Sequence, residues 1–71
     1  MELDKQQSIL IVGLGLIGGS YAAALSRAGF TVGAVDPNAD AIAFAQRSGF
    51  VRHGRTTPDA DYLAEFDMVV L

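Results

Sequence analysis

An uncharged segment from Gln6 to Ser26 carries glycines at positions 13, 15, 18 and 19. Its length suits either a membrane-spanning helix or a strand and a helix joined by a glycine-rich turn. Each glycine would destabilise a continuous helix by about 0.8–1 kcal/mol relative to alanine. The preceding stretch Met1–Lys5 has two acids and one base, whereas a secretory signal begins with basic residues. The strand, turn and helix are therefore favoured over the membrane span.

Composition limits the classes of protein to which the chain can belong. With 71 residues, 51% of them hydrophobic, it is one small domain or part of one. The absence of cysteine excludes disulfides and thiolate metal sites and is compatible with the cytoplasm, the expected location. Five scattered Lys and Arg residues and a net charge of −3 argue against nucleic acid as a partner. No cluster of metal ligands stands out, so no metal is expected.

Apolar runs and helix-ending residues divide the first half of the chain. Ser8–Val12 is predicted to be a strand covered on both faces, and a helix follows from about Gly18 to Ala28, ended by Gly29. The predicted apolar face of this helix consists of Ile17, Tyr21, Ala24, Leu25 and Ala28, with Tyr21 covering the sheet.

The second half continues the alternation. Phe30–Asp36 is predicted to be a strand, and Asn38 the N-cap of a helix that stops at Gly49. The predicted face of that helix contains Ala41, Phe44, Ala45 and Ser48, with Ile42 beside it. Beyond it we predict a short strand at Phe50–Arg52, a loop at 53–56, a brief helix with N-cap Thr57, N1 Pro58 and an end near Glu65, and a buried strand at Asp67–Leu71.

The resulting order β-α-β-α-β-α-β indicates the fold class. Its connections are too long for hairpins, which implies right-handed crossovers and a parallel sheet. The predicted class is α/β, a Rossmann-like parallel sheet with helices on both faces. Such a domain has about six strands, and the pattern supplies about four. We therefore expect residues 1–7 to be a flexible tail and 8–71 to be the front part of a dinucleotide-binding domain without its remainder.

Three glycines between the first strand and helix match the fingerprint G-x-G-x-x-G of dinucleotide-binding folds. Gly13 would permit the tight turn, Gly15 the close approach of a pyrophosphate, and Gly18 close packing of helix on sheet. The free amides of the first helical turn, including Leu16 and Ile17, would point at the phosphates. These five residues are the candidate phosphate site.

Asp36 ends the second predicted strand, 18 residues after Gly18. An acid about 20 residues on from such a motif binds the adenosine ribose. Its charge would oppose the 2′-phosphate of NADP, so NAD is the predicted cofactor. The alternative is that the glycines only form a sharp turn and Asp36 caps a helix, in a fold without a cofactor.

The string Val12–Ser20 resembles the phosphate loop of the prephenate and arogenate dehydrogenases, the NAD(P)-dependent enzymes of tyrosine biosynthesis. Gly29, the segment Val35–Asn38 and the segment Asp67–Leu71 fit the same family, and the resemblance spans residues 8–71. It implies that the whole enzyme oxidises prephenate with NAD and releases carbon dioxide to give 4-hydroxyphenylpyruvate. The family also implies a homodimer, with no membrane partner.

The same resemblance places the family's catalytic histidine and carboxylate-binding arginine in a later, mostly helical catalytic domain, which is expected to be absent from residues 8–71. No catalytic residue is therefore expected in this segment, which should be inactive alone. His53, the single histidine, is predicted to lie in a loop away from the nicotinamide. Two alternatives stay open: an arogenate or other NAD-dependent small-acid dehydrogenase, and a non-catalytic module that senses NAD or another nucleotide.

Overall fold

The computed structural model describes residues 7–71, so most of the predicted tail 1–7 lies outside the described residues. Four strands alternate with three helices, in the predicted order. They are β1 (Ser8–Val12), α1 (Leu16–Arg27), β2 (Thr31–Val35), α2 (Ala39–Arg47), β3 (His53–Arg55), α3 (Ala60–Leu63) and β4 (Met68–Val70).

All strand pairs in the sheet are parallel, and the strand order is β3-β2-β1-β4. Val12 of β1 lies opposite Val35 of β2, so the two strands end at the same level. The chain first builds outward from β1 to β3 and then returns to the other side of β1. Ligands of open α/β sheets bind outside the carboxyl ends of the strands where the order reverses, which here is between β1 and β4.

Apolar side chains cover both faces of the sheet, as predicted for a parallel sheet. On the face that carries α1 and α2, the core consists of Ile9, Ile11, Ala22, Val32, Ala34, Ala45 and Val51. On the face that carries α3, it consists of Leu10, Val35 and Tyr62, with Val12, Leu63 and Phe66 packed against them. Alternate residues of β1 thus point to opposite faces of the sheet, and this alternation fixes the register of the strand.

The predicted apolar face of α1 is wrong except for Leu25, which packs on the core. Ala22 and Ala23 are buried instead, whereas Ile17 is 85% exposed and Tyr21 49% exposed. Ala24 and Ala28 are also exposed. The reason is that α1 approaches the sheet through its smallest residues, beginning with Gly18, which turns the larger side chains away.

The connection around β3 also differs from the prediction. The segment Phe50–Arg52 is not a strand, because the amides of Phe50 and Val51 still donate to the carbonyl of Ala45 at 2.9 and 3.3 Å. The Arg52 amide donates to the Val32 carbonyl of β2 at 2.7 Å, and the strand itself begins at His53, so residues predicted as loop form β3. Gly54 lies under Ile42 there: a Cβ at Gly54 would be 2.6 Å from Cγ2 of Ile42.

Helices α2 and α3 confirm some predicted caps and correct others. Asn38 caps α2, since its side-chain oxygen accepts from the amides of Asp40 and Ala41. The buried residues of α2 are Ile42 and Ala45, whereas Phe44 is 58% exposed and Ser48 is exposed. The N-cap of α3 is Asp59 rather than Thr57, and its carboxylate accepts from the Asp61 amide at 3.0 Å.

Strand β4 lies at an edge of the described sheet and pairs with β1. It was predicted to be buried, but Met68 is 45% exposed and Val69 is 42% exposed. The reason is its position: only one neighbour and few packed side chains cover it. Within residues 7–71, no helix has the length and apolar character that a bilayer crossing requires.

Candidate functional site

The turn between β1 and α1 is built from glycines with different tasks. Gly13 has a φ of +95°, a left-handed conformation that side chains disfavour, and its amide donates to the Val35 carbonyl at 2.7 Å. Gly15 is the N-cap of α1, with φ −59° and ψ −174°. A Cβ on Gly15 would meet no heavy atom within 4 Å, so the absence of a side chain there leaves open space over the turn.

Gly18 brings α1 against its own turn. A Cβ at Gly18 would collide with the carbonyl oxygen of Gly13 and lie 3.1 Å from the Gly13 carbonyl carbon. Because both are backbone atoms, the contact cannot be relieved by a side-chain rotation. Gly18 therefore fixes where the first turn of α1 lies relative to the end of β1.

The first turn of α1 offers donors to an anion. The amide of Gly19 donates to the Gly15 carbonyl at 2.8 Å, which closes the first helical turn. The amides of Leu16, Ile17 and Gly18 precede that bond, and the N-cap residue Gly15 has no side chain that could cap them. No acid lies in this first turn, so the positive end of the helix dipole is not offset there. The turn can therefore bind a negatively charged group.

Asp36 lies directly beside this turn, at the end of β2. Its Oδ2 accepts from the Leu14 amide at 2.7 Å, and its Oδ1 accepts from the Asn38 amide at 2.8 Å. The alternative in which Asp36 caps α2 is wrong, because Asn38 has that role. The six predicted residues, Gly13, Gly15, Leu16, Ile17, Gly18 and Asp36, thus lie at the carboxyl ends of β1 and β2 and at the start of α1.

Sequence reasoning missed that Asp36 contacts the glycine turn. The contact with Asn38 has a recognisable signal, since an Asp often accepts from the amide two residues on. The contact with Leu14 has no local signal, because it joins residues 22 positions apart and depends on the register of β1 and β2.

A cleft of about 510 Å³ opens between α1 and β4, next to the turn. Gly15 and Ile17 border it on one side, Val70 and Leu71 on the other, and Tyr21 lies farther along α1. Its lining is mostly apolar, with the backbone of the glycine turn at one end. The cleft lies at the reversal of strand order, where this type of sheet binds ligands.

His53 belongs to a different region, on the α3 side of the sheet. Its Nδ1 lies 2.7 Å from the Tyr62 hydroxyl, and its ring contacts Phe66 with centroids 5.9 Å apart. Burial raises the pKa of the Tyr62 phenol, and the nearby Arg55 partly opposes this. The Arg55 guanidinium lies 4.7 Å from the centre of the Tyr62 ring. This cluster packs α3 on the sheet and lies away from the cleft.

Comparisons with known proteins agree with this geometry. The model of a family described as ketopantoate reductase PanE/ApbA matches residues 9–70. A crystal structure of prephenate dehydrogenase from A. aeolicus in complex with hydroxyphenyl propionate and NAD+ is similar, with a TM-score of 0.73 and 33% sequence identity. The match covers 97% of this chain and 24% of that one. No curated protein sequence matches the chain.

The predicted resemblance and the predicted α/β dinucleotide-binding fold are therefore confirmed. NAD+, the ligand of the neighbouring structure, is also the cofactor predicted from the sequence.

Proposed function

We propose that this chain, which belongs to the ketopantoate reductase PanE/ApbA family, is the NAD-binding segment of an NAD-dependent prephenate dehydrogenase. The observation that carries the proposal is the contact between the Asp36 carboxylate and the Leu14 amide, 2.7 Å long. It sets an acid that can bind ribose beside free helix amides that can bind phosphate. The phosphate-binding amides and the ribose-binding carboxylate thus lie side by side, as the binding of one adenosine diphosphate group requires.

In this proposal, the amides of Leu16, Ile17 and Gly18 bind the diphosphate. Gly15 keeps open the space that the diphosphate enters, and Gly13 makes the turn that presents the amides. The glycine turn has room for the cofactor. A Cβ at Gly15 would meet no heavy atom of the protein within 4 Å, so the space next to Gly15 is open to the diphosphate. Asp36 accepts hydrogen bonds from the ribose hydroxyls.

The charge distribution near Asp36 supports NAD rather than NADP. A 2′-phosphate at the ribose position would face the Asp36 carboxylate, and like charges so placed cost on the order of several kcal/mol. Arg55, whose carbonyl accepts from the Asp36 amide, has its guanidinium over the Tyr62 ring, 4.7 Å from the centroid. Pro37 has neither a charge nor an amide proton to offer.

The cleft between α1 and β4 is the proposed place of the nicotinamide. Ile17 is 85% exposed beside the turn, and Val70 of β4 and the following Leu71 line the opposite side. The bound cofactor supplies hydride chemistry, and these apolar side chains would orient the ring and exclude water from it. The chain's own contribution is thus binding and orientation, with the substrate and proton-handling groups supplied by further sequence.

Prephenate as the substrate is supported by the A. aeolicus neighbour, whose crystal structure holds hydroxyphenyl propionate together with NAD+. A second candidate, ketopantoate reduction, is favoured by the family model that matches residues 9–70. Assaying the product of the complete gene with prephenate plus NAD and with ketopantoate plus NADH separates the two. If the protein binds NAD but shows neither activity, that result would favour the non-catalytic sensing module.

The cofactor proposal is tested on the chain itself by titration with NADH and NADPH, followed by nucleotide fluorescence. We expect NADH to bind at least about tenfold more tightly, since 1.4 kcal/mol corresponds to tenfold. The matched variant is Gly15→Val, whose Cβ would meet no heavy atom within 4 Å and which should lower the unfolding free energy by only about 1 kcal/mol, because valine is a poorer N-cap than glycine. It should abolish NADH binding. Undiminished NADH binding by Gly15→Val would overturn the proposed site.

A further inference from the structure

Asp36 is hydrogen-bonded to three segments of the chain. Its carboxylate accepts from the Leu14 amide at 2.7 Å and from the Asn38 amide at 2.8 Å. Its own amide donates to the Arg55 carbonyl at 3.0 Å. The glycine turn, the connection to α2 and the end of β3 therefore meet at one residue.

The contact with Leu14 extends the pairing of β1 and β2 by one step. The last backbone bond of this pairing runs from the Gly13 amide to the Val35 carbonyl, 2.7 Å long. For the next amide along the turn, that of Leu14, the acceptor is a side-chain carboxylate in a partly buried position. A hydrogen bond to a carboxylate is about twice as strong as one between neutral groups. Asp36 therefore holds the turn at Leu14, the first residue beyond the backbone pairing of β1 and β2.

We propose that Asp36 is a positioning residue for the glycine turn. It holds the Leu14 amide, and through it the start of α1, in the anion-binding geometry before a dinucleotide arrives. This role is separate from the recognition of ribose, and its consequence for cofactor binding rests on the proposed function. An ionised carboxylate has about four acceptor positions. The two backbone contacts therefore leave room for ribose hydroxyls, and one group serves both tasks.

The test uses nuclear magnetic resonance on the nucleotide-free chain. In the wild type, we expect a scalar coupling through the hydrogen bond, from the Leu14 amide nitrogen to the carboxylate carbon of Asp36. In Asp36→Ala, exchange of the Leu14 amide with solvent should accelerate by about tenfold or more, as expected for loss of a charge-assisted hydrogen bond. The control Asn38→Ala removes the cap of α2 but keeps the Leu14 contact, so Leu14 exchange should stay near the wild-type rate.

A third measurement adds saturating NAD to the wild type. Because the turn is already ordered, Leu14 exchange should slow by less than about threefold, well under the tenfold expected for a newly formed charge-assisted bond. Absence of the coupling, unchanged exchange in Asp36→Ala, or a tenfold or greater slowing by NAD would each overturn the positioning role. If NAD does not bind at all, the proposed function fails, while the coupling and the nucleotide-free exchange still decide this inference. The coupling needs no variant, so the test holds even if Asp36→Ala does not fold.

Discussion

Alanine substitutions at the adjacent glycines Gly18 and Gly19 of α1 should have opposite effects on the free energy of unfolding. In Gly18→Ala, the new Cβ would collide with the Gly13 carbonyl oxygen. Gly13 cannot retreat easily, because its amide is bonded to the Val35 carbonyl at 2.7 Å and its φ is +95°. In Gly19→Ala, the Cβ would lie 3.8 Å from the Leu14 carbonyl oxygen, an ordinary contact.

The magnitude follows from comparing the pair. Replacing a helical glycine by alanine gains up to about 1 kcal/mol of helix propensity at either position. Overpacking costs about 1–3 kcal/mol and applies to Gly18 alone. Propensity cancels in the comparison, so Gly18→Ala should be less stable than Gly19→Ala by about 1–3 kcal/mol. For a domain of this size, each kcal/mol shifts the melting temperature by about 4–8 °C.

Urea unfolding followed by circular dichroism measures the difference. Wild type and both variants should share one m-value, with Gly19→Ala at or above the wild-type midpoint and Gly18→Ala below it. A midpoint for Gly18→Ala equal to or above that of Gly19→Ala would refute the reasoning, because Gly18 would then not pack closely against the Gly13 carbonyl.

Three further outcomes are expected. Gly33→Ala should lower the unfolding free energy by about 1–3 kcal/mol in urea titrations, because its Cβ would collide with the Phe66 ring and lie 2.9 Å from the Tyr62 hydroxyl. Burial raises the pKa of Tyr62, so the unfolded chain loses its phenol proton first and the unfolding free energy should fall as pH rises above about 10. Tyr62→Phe should reduce that alkaline fall, as measured by urea midpoints against pH. The double variant Asp36→Ser, Pro37→Arg should raise the ratio of NADPH to NADH affinity in fluorescence titrations, and an unchanged ratio would mean that the adenosine binds elsewhere.

Strand β1, the glycine turn and the cap of α2 could be predicted from the sequence because their signals are local. A continuous apolar run, glycines at fixed spacing and an Asn before a helix each depend on neighbouring residues alone. The place of Asp36 at the end of β2 could also be predicted, whereas its contact with Leu14 depends on the register of β1 and β2.

The buried face of α1 and the position of β3 could not be predicted in this way. Periodicity selected the largest apolar residues of α1, Ile17 and Tyr21, whereas close approach to the sheet selected Gly18 and Ala22. For β3, the segment Phe50–Arg52 was misleading because the amides of Phe50 and Val51 still donate to the Ala45 carbonyl of α2, and only the Arg52 amide bonds to β2. Both errors concern contacts between elements, which hydrophobic pattern does not encode.

The edge position of β4 has a practical consequence for handling the chain. A strand with one neighbour offers a row of free amide and carbonyl groups along its outer side, and exposed Met68 and Val69 do nothing to repel another strand. Concentrated solutions are expected to self-associate by adding strands across this edge, and a Val69→Lys substitution should keep the preparation monomeric in sedimentation experiments.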